Sequence, residues 1–204
     1  MSEVKILRYP TEEDWQLCRD LARSTVGKPP LGGTKEVSDR FKREILRAEH
    51  SPIRVLNFVI EMRIPYYCSV HFARHKFGVE HFVTSQRNDR QADYDRRAAR
   101  QDAEVVHVMY INAQALVNMA RARLCNRADP ETRWIMGEIA EKVCEACHEF
   151  NGMLVPKCVY RGGLCGEPGK CPADWNRAVV HHFRENMKER MTGRENGEDD
   201  NFEF

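Results

Sequence analysis

From Val55 to Ile64 the chain alternates, with Leu56, Phe58, Ile60, Met62 and Ile64 on one side and Asn57, Glu61 and Arg63 on the other. That two-residue period predicts a strand with one buried face. Pro65 lacks a backbone N–H and ends the ladder. Apolar positions then shift to helical spacing, predicting a short helix over Tyr66 to Lys76 that carries Arg74, His75 and Lys76 at its end. Between Ala103 and Leu124 a helical period collects Val105, Val106, Met109, Tyr110, Ala113, Leu116, Val117, Ala120 and Leu124 on one face, predicting a long core helix. At about 100° per residue, Asn112 and Arg123 fall on one edge of that stripe and Gln114, Asn118 and Arg121 on the other.

The remaining elements are ordinary. Helices are predicted near Glu12 to Ser24 and Lys35 to Glu49, separated by a glycine- and proline-rich loop from Gly27 to Gly33 that is either a connector or a lid. Asp129 as cap and Pro130 at the first helical position open another helix, whose apolar face runs through Ile135, Ile139 and Val143. A last helix is predicted from Ala173 to about Met191. The segment 193–204, with Glu195, Glu198, Asp199 and Asp200, reads as a disordered acidic tail.

At 204 residues and 42% hydrophobic, the chain suits one sizeable core, read as a single domain over 1–192. A net charge of +1 argues against a generally basic nucleic-acid binder, so any anion site must be local. No apolar run approaches the ~18 residues of a spanning helix, and the charged start is unlike a secretory signal, giving the expectation of a cytoplasmic protein. The eight cysteines do not fit the disulfide framework of a small secreted domain. Cys144 and Cys147 continue a helical apolar face and read as core thiols. Cys158, Cys165 and Cys171 lie in a glycine-rich loop. Together with Cys147 or His148 they could complete a tetrahedral zinc site, or they could simply be reduced thiols.

Candidate chemistry concentrates around Arg74, His75 and Lys76, followed by Ser85 and Arg87, with Phe72, Phe77, Glu80, His81, Thr84 and Gln86 interleaved. Such a cluster is either a solvated basic surface or an anion site, and its density of hydrogen-bonding groups favours a site. Arg90, Arg96, Arg97 and Arg100 alternate with Asp89, Asp93, Asp95 and Asp102, a pattern of surface ion pairs that also offers forks for phosphate. His75 and His81 belong to the residue type that titrates near neutrality.

These residues resemble the signature of the flavin-dependent thymidylate synthases, the ThyX family. Its elements here are His50-Ser51-Pro52, the strand from Val55, Pro65, Arg74-His75-Lys76 and Ser85-Gln86-Arg87. A second block, Asn112-Ala113-Gln114, Asn118, Arg123 and Ala128-Asp129-Pro130-Glu131, resembles the family's second polar segment. The similarity spans roughly Ala22 to Phe150, with Ala22-Arg23-Ser24-Thr25 as a short early match that would bring Thr25 near the flavin. The chain departs from the pattern in several places. Lys76 stands for arginine, Thr84 occupies the strict serine spacing, His71 replaces a glutamine, Val55 a histidine, Gln114 an arginine and Asp129 a glutamine.

The resemblance implies an α/β (α+β) fold, a twisted antiparallel-rich sheet flanked by long helices. It implies reductive methylation of dUMP to dTMP with methylenetetrahydrofolate, FAD and NADPH, in a homotetramer whose sites are shared between subunits. Arg123, Ser85 and Arg87 would bind the nucleotide, with Thr84 as substitute for Ser85. Arg74, His75, Lys76, Asn112, Gln114 and Asn118 would hold FAD. One of Arg90, Arg96, Arg97 or Arg100 would reach the phosphate. No membrane and no nucleic acid are expected as partners.

Three other readings compete. The same fold could hydroxymethylate a pyrimidine nucleotide. A zinc-stabilised module could bind nucleic acid, with steep salt dependence. A cysteine nucleophile, Cys68 or Cys125, could replace flavin chemistry.

Overall fold

A computed structural model describes residues 2–87, 90, 95, 97–168 and 171. The helix predicted over 173–191, the acidic tail and Arg96 lie outside the described residues. Four strands form one antiparallel sheet in the order β1-β2-β4-β3, with β1 at Glu3–Arg8, β2 at Asn57–Pro65, β3 at Val79–Val83 and β4 at Glu104–Asn112. Six helices are described: α1 Glu12–Ser24, α2 Asp39–Arg47, α3 Tyr66–Ala73, α4 Ala113–Arg123, α5 Pro130–Ala146 and α6 Lys157–Tyr160. This is the expected α/β class. One continuous apolar core joins the inward side chains of the sheet to α1, α2, α3, α4 and α5.

The alternation read in β2 is realised, since Phe58, Ile60, Met62 and Ile64 are all fully buried. The predicted helix over 103–124 is corrected. Its first half is β4 and only Ala113–Arg123 is helical. The inward residues of β4 are Val105, His107, Met109 and Ile111, all buried. A histidine at one inward position interrupts the two-residue hydrophobic signal. Outward Val106, Val108 and Tyr110 then complete a false helical stripe. Asn112 is the hinge between the two elements, because its side chain accepts from the Ala115 N–H at 2.9 Å and caps α4.

The second predicted helix is also shorter than expected. Ser38 caps it by accepting from the Phe41 N–H, and it ends at Arg47. The predicted helix around Arg74 stops at Ala73, leaving Arg74 as its C-cap and His75 and Lys76 in the loop to β3. α1 and α5 begin where the sequence places them. Thr11 and Asp14 form a reciprocal capping box, and the Asp129 carboxylate accepts from the Thr132 N–H at 2.8 Å.

The loop from Gly27 to Gly33 is a pinned connector. Fully buried Arg19 donates to the Lys35 and Gly32 carbonyls at 2.9 Å each. Asp20 accepts from the Leu31 and Gly32 N–H groups at 3.0 Å each, and Arg23 donates to the Pro29 carbonyl at 2.8 Å. These bonds hold the segment to α1, so the lid reading gives way to the connector.

Candidate functional site

The two sequence blocks meet at Arg123. From the last turn of α4 its Nε donates to His75 Nε2 at 3.0 Å, and its Nη2 donates to the His71 carbonyl at 2.7 Å. The His71 carbonyl lies at the C-terminal end of α3, where orphan carbonyls and the helix dipole favour a cation. Two edges of the guanidinium are thereby fixed, while Nη1 makes no hydrogen bond among the described residues. Burial, and then the Arg74 charge, hold the Arg123 pKa below its ordinary value. His75 must accept at Nε2, which makes it the neutral Nδ1–H tautomer. Burial, the Arg123 charge and His81 push its pKa down to about 4.

Behind this pair runs a chain of histidines. His81 Nε2 lies 2.7 Å from the His75 carbonyl, His81 Nδ1 lies 2.9 Å from His107 Nε2, and His107 Nδ1 lies 3.0 Å from Ser69 Oγ. A carbonyl only accepts, and that fixes every neutral tautomer in turn. His81 donates from Nε2 to His75, His107 donates from Nε2 to His81, and the Ser69 hydroxyl donates to His107 Nδ1. Fully buried His107 has its pKa lowered to about 4, by burial and then by His81. The chain clamps the loop that presents Arg74, His75 and Lys76. Of this chain, sequence analysis names His75 and His81 but neither Ser69 nor His107. The polar residue on the inward side of β4 was the available signal.

The opposite edge of α4 carries a second cluster. Gln114 donates to Glu49 at 2.7 Å, and Arg121 donates to both Glu49 oxygens, with Asn118 accepting from Arg121 at 3.3 Å. Glu49 has φ 47°, a left-handed conformation unusual for glutamate, and the ion pair helps to hold it there. Burial raises the Glu49 pKa, but the bonds from Arg121 and Gln114 outweigh that and lower it overall. The Arg121 guanidinium also stacks 3.5 Å from the centre of the Tyr160 ring. Gln114 therefore faces the Glu49 carboxylate and Asn118 faces Arg121, on the edge of α4 opposite the Arg123 pair. Asn112 is occupied as a cap and packs against Gly78.

Arg74 and Lys76 are exposed and form no ion pair among the described residues. Their charges suit the pyrophosphate of a flavin dinucleotide, while Gln114 donates to the Glu49 carboxylate. Thr25 caps α1 by donating to the Ala22 carbonyl at 2.6 Å. Tyr67 of α3 donates to Glu131 of α5, tying the second block's acidic residue to the first.

Thr84 and Ser85 are distinguished by their partners. The Thr84 hydroxyl donates to the Val106 carbonyl at 3.2 Å and accepts from its N–H at 3.1 Å, so it extends the sheet. Ser85 accepts from the Arg87 N–H at 3.3 Å. Ser85 and exposed Arg87 follow the end of β3 at Val83. Arg100 is held by Asp102 through two bonds of 2.8 Å, while Arg90 and Arg97 are exposed.

The cysteine readings also change. Cys68 is fully buried and burial raises its pKa, which removes it as a nucleophile. Cys147 is a core thiol raised to about 12 by burial, and His148 pairs with Asp39 at 3.2 Å, so neither joins the loop cysteines. Among the described residues no helix is long and apolar enough to cross a membrane.

A four-stranded antiparallel sheet, helices against one face and an arginine–histidine pair at the helix ends define the class of fold. No family model matches the chain, and no curated protein sequence matches it. Among solved structures, the fold is similar to that of the UMP/dUMP methylase PolB from Streptomyces cacaoi, solved bound with 5-Br dUMP. The TM-score is 0.57 at 13% identity, covering 76% of this chain and 97% of that one.

Proposed function

We propose that this chain transfers a one-carbon unit to the ring of a uridine nucleotide, with dUMP as acceptor and reductive methylation to dTMP as the reaction. The observation that carries the reading is the 3.0 Å contact between Arg123 and His75. It unites the two segments that resemble the ThyX signature, in a fold similar to that of a UMP/dUMP methylase.

Arg123 is held at Nε and Nη2, and its free Nη1 is preorganised to meet a nucleotide oxygen where negative charge builds on the ring. Ser85, whose hydroxyl donates to no group among the described residues, and Arg87 bind the same nucleotide. As the resemblance implies sites shared between subunits, Ser85 and Arg87, which follow the end of β3, would complete the site of a neighbouring subunit. Exposed Phe82 and Tyr110 on the outward face of β3 and β4 would provide apolar surface for a homotetramer. Arg74 and Lys76 would hold FAD, with Asn118 as the remaining polar candidate. When bound, FAD supplies the hydride, delivered originally by NADPH, while methylenetetrahydrofolate supplies the carbon.

The test is to incubate the purified chain with dUMP, methylenetetrahydrofolate, FAD and NADPH and to weigh the product. A gain of CH2 is expected. A gain of CH2O identifies hydroxymethylation instead, and unchanged dUMP with no flavin absorbance overturns the proposal.

A further inference from the structure

Three of the eight cysteines, Cys18, Cys68 and Cys147, are buried in the core, and Cys144 packs against it. The other four, Cys125, Cys158, Cys165 and Cys171, all line one cavity of about 190 Å³. They reach it from separate places. Cys125 follows the end of α4, Cys158 lies in α6, which packs against α4, and Cys165 lies on the loop that follows. That loop reverses on Gly162 and Gly163, at φ 65° and 97°, and the Gly163 N–H returns to the Cys158 carbonyl at 2.8 Å. Positive φ at consecutive positions is readily adopted by glycine and brings Cys165 back toward Cys158.

We propose that Cys125, Cys158, Cys165 and Cys171 form a closed tetrahedral zinc site that fastens the loop after α6 to the C-terminal end of α4. Cysteine thiolate is the ligand type of structural zinc, and four of them leave no open position for catalysis. Binding Zn²⁺ releases the four thiol protons and leaves a cluster of formal charge −2. The surroundings suit that charge, because Arg121, Arg127, Lys157 and Arg161 line the same cavity against a single acid, Glu167. Zinc–sulfur bonds of about 2.3 Å place the sulfurs about 3.8 Å apart. Among the described residues no three of the sulfurs yet lie within 4.8 Å of one another. The remaining approach falls to the exposed, glycine-hinged loop carrying Cys165. Cys125 is two residues beyond Arg123, so the metal would anchor the helix end that presents Arg123. The metal site itself does not depend on the nucleotide reading.

The full chain, grown with zinc and purified reduced without chelators, should carry about one zinc per chain by elemental analysis. Exchange with cobalt should give the charge-transfer and d–d bands of a tetrahedral thiolate site. Cys165→Ser, at an exposed position, should weaken zinc retention against a competing chelator by more than the roughly 10- to 100-fold typical of outer-shell changes. Cys158→Ser should do the same, and Cys144→Ser should leave zinc content unchanged. Folding of Cys165→Ser is checked by circular dichroism, and the cobalt spectrum of the unaltered chain tests the site even if a variant fails to fold. A metal-free chain that gives no tetrahedral cobalt spectrum, or full retention in Cys165→Ser and Cys158→Ser, overturns the proposal.

Discussion

Arg123 shows how a guanidinium is made into a directed donor. A free arginine would lose side-chain entropy on binding a ligand, whereas this one is already fixed by His75 and the His71 carbonyl. Arg123→Ala should weaken dUMP binding by about 1.5–3 kcal/mol, roughly 10- to 150-fold in Kd. FAD retention should survive, and calorimetry with each ligand checks both expectations. The neighbouring hydroxyls should separate cleanly. Thr84→Val removes two bonds to the Val106 backbone and should cost about 1 kcal/mol of stability in denaturant melts. Ser85→Ala should leave stability unchanged and raise the KM for dUMP.

At the scale of elements, the junction of β4 with α4 sets the site. Asn112 pairs with Asn57 across the sheet, caps α4 and fills the space against Gly78. A Cβ on Gly78 would lie 2.4 Å from Asn112 Nδ2, and Gly78 has φ +72°. Gly78→Ala should therefore destabilise the protein by about 1–3 kcal/mol through backbone strain and loss of the cap. Guanidinium chloride unfolding measures the cost, and the same variant should reduce nucleotide affinity by releasing the helix that carries Arg123.

For the whole molecule, two features make predictions. His75 and His107 stay neutral when folded down to about pH 4, but their ordinary value is 6.5. Between those values the unfolded chain binds more protons, so these residues make stability fall as pH drops from 6.5 toward 4, with no contribution to the slope above that window. Thermal melts across this range should show the fall, and His107→Gln should have a shallower pH slope because one titrating group is gone. If the chain assembles as the proposed homotetramer with shared sites, mixed assemblies of Arg123→Ala and Arg87→Ala chains should regain activity that neither variant has alone. Failure of such complementation in demonstrably mixed tetramers would place each complete site within one chain.

The sequence by itself determined the features that depend on neighbours in the chain. The buried face of β2, the cap of α5 and the opposite edges of α4 follow from side-chain period and local hydrogen bonding. Tertiary structure decided what depends on partners distant in sequence. β4 read as helix because its inward histidine bonds to Ser69 and His81, 38 and 26 residues away, and no local pattern records that compensation. The same holds for Gln114, which the resemblance implies beside the flavin and whose donor bond to Glu49, 65 residues away, only the folded chain shows. A polar residue's role is fixed by the group that satisfies it, and only the folded chain brings that group within reach.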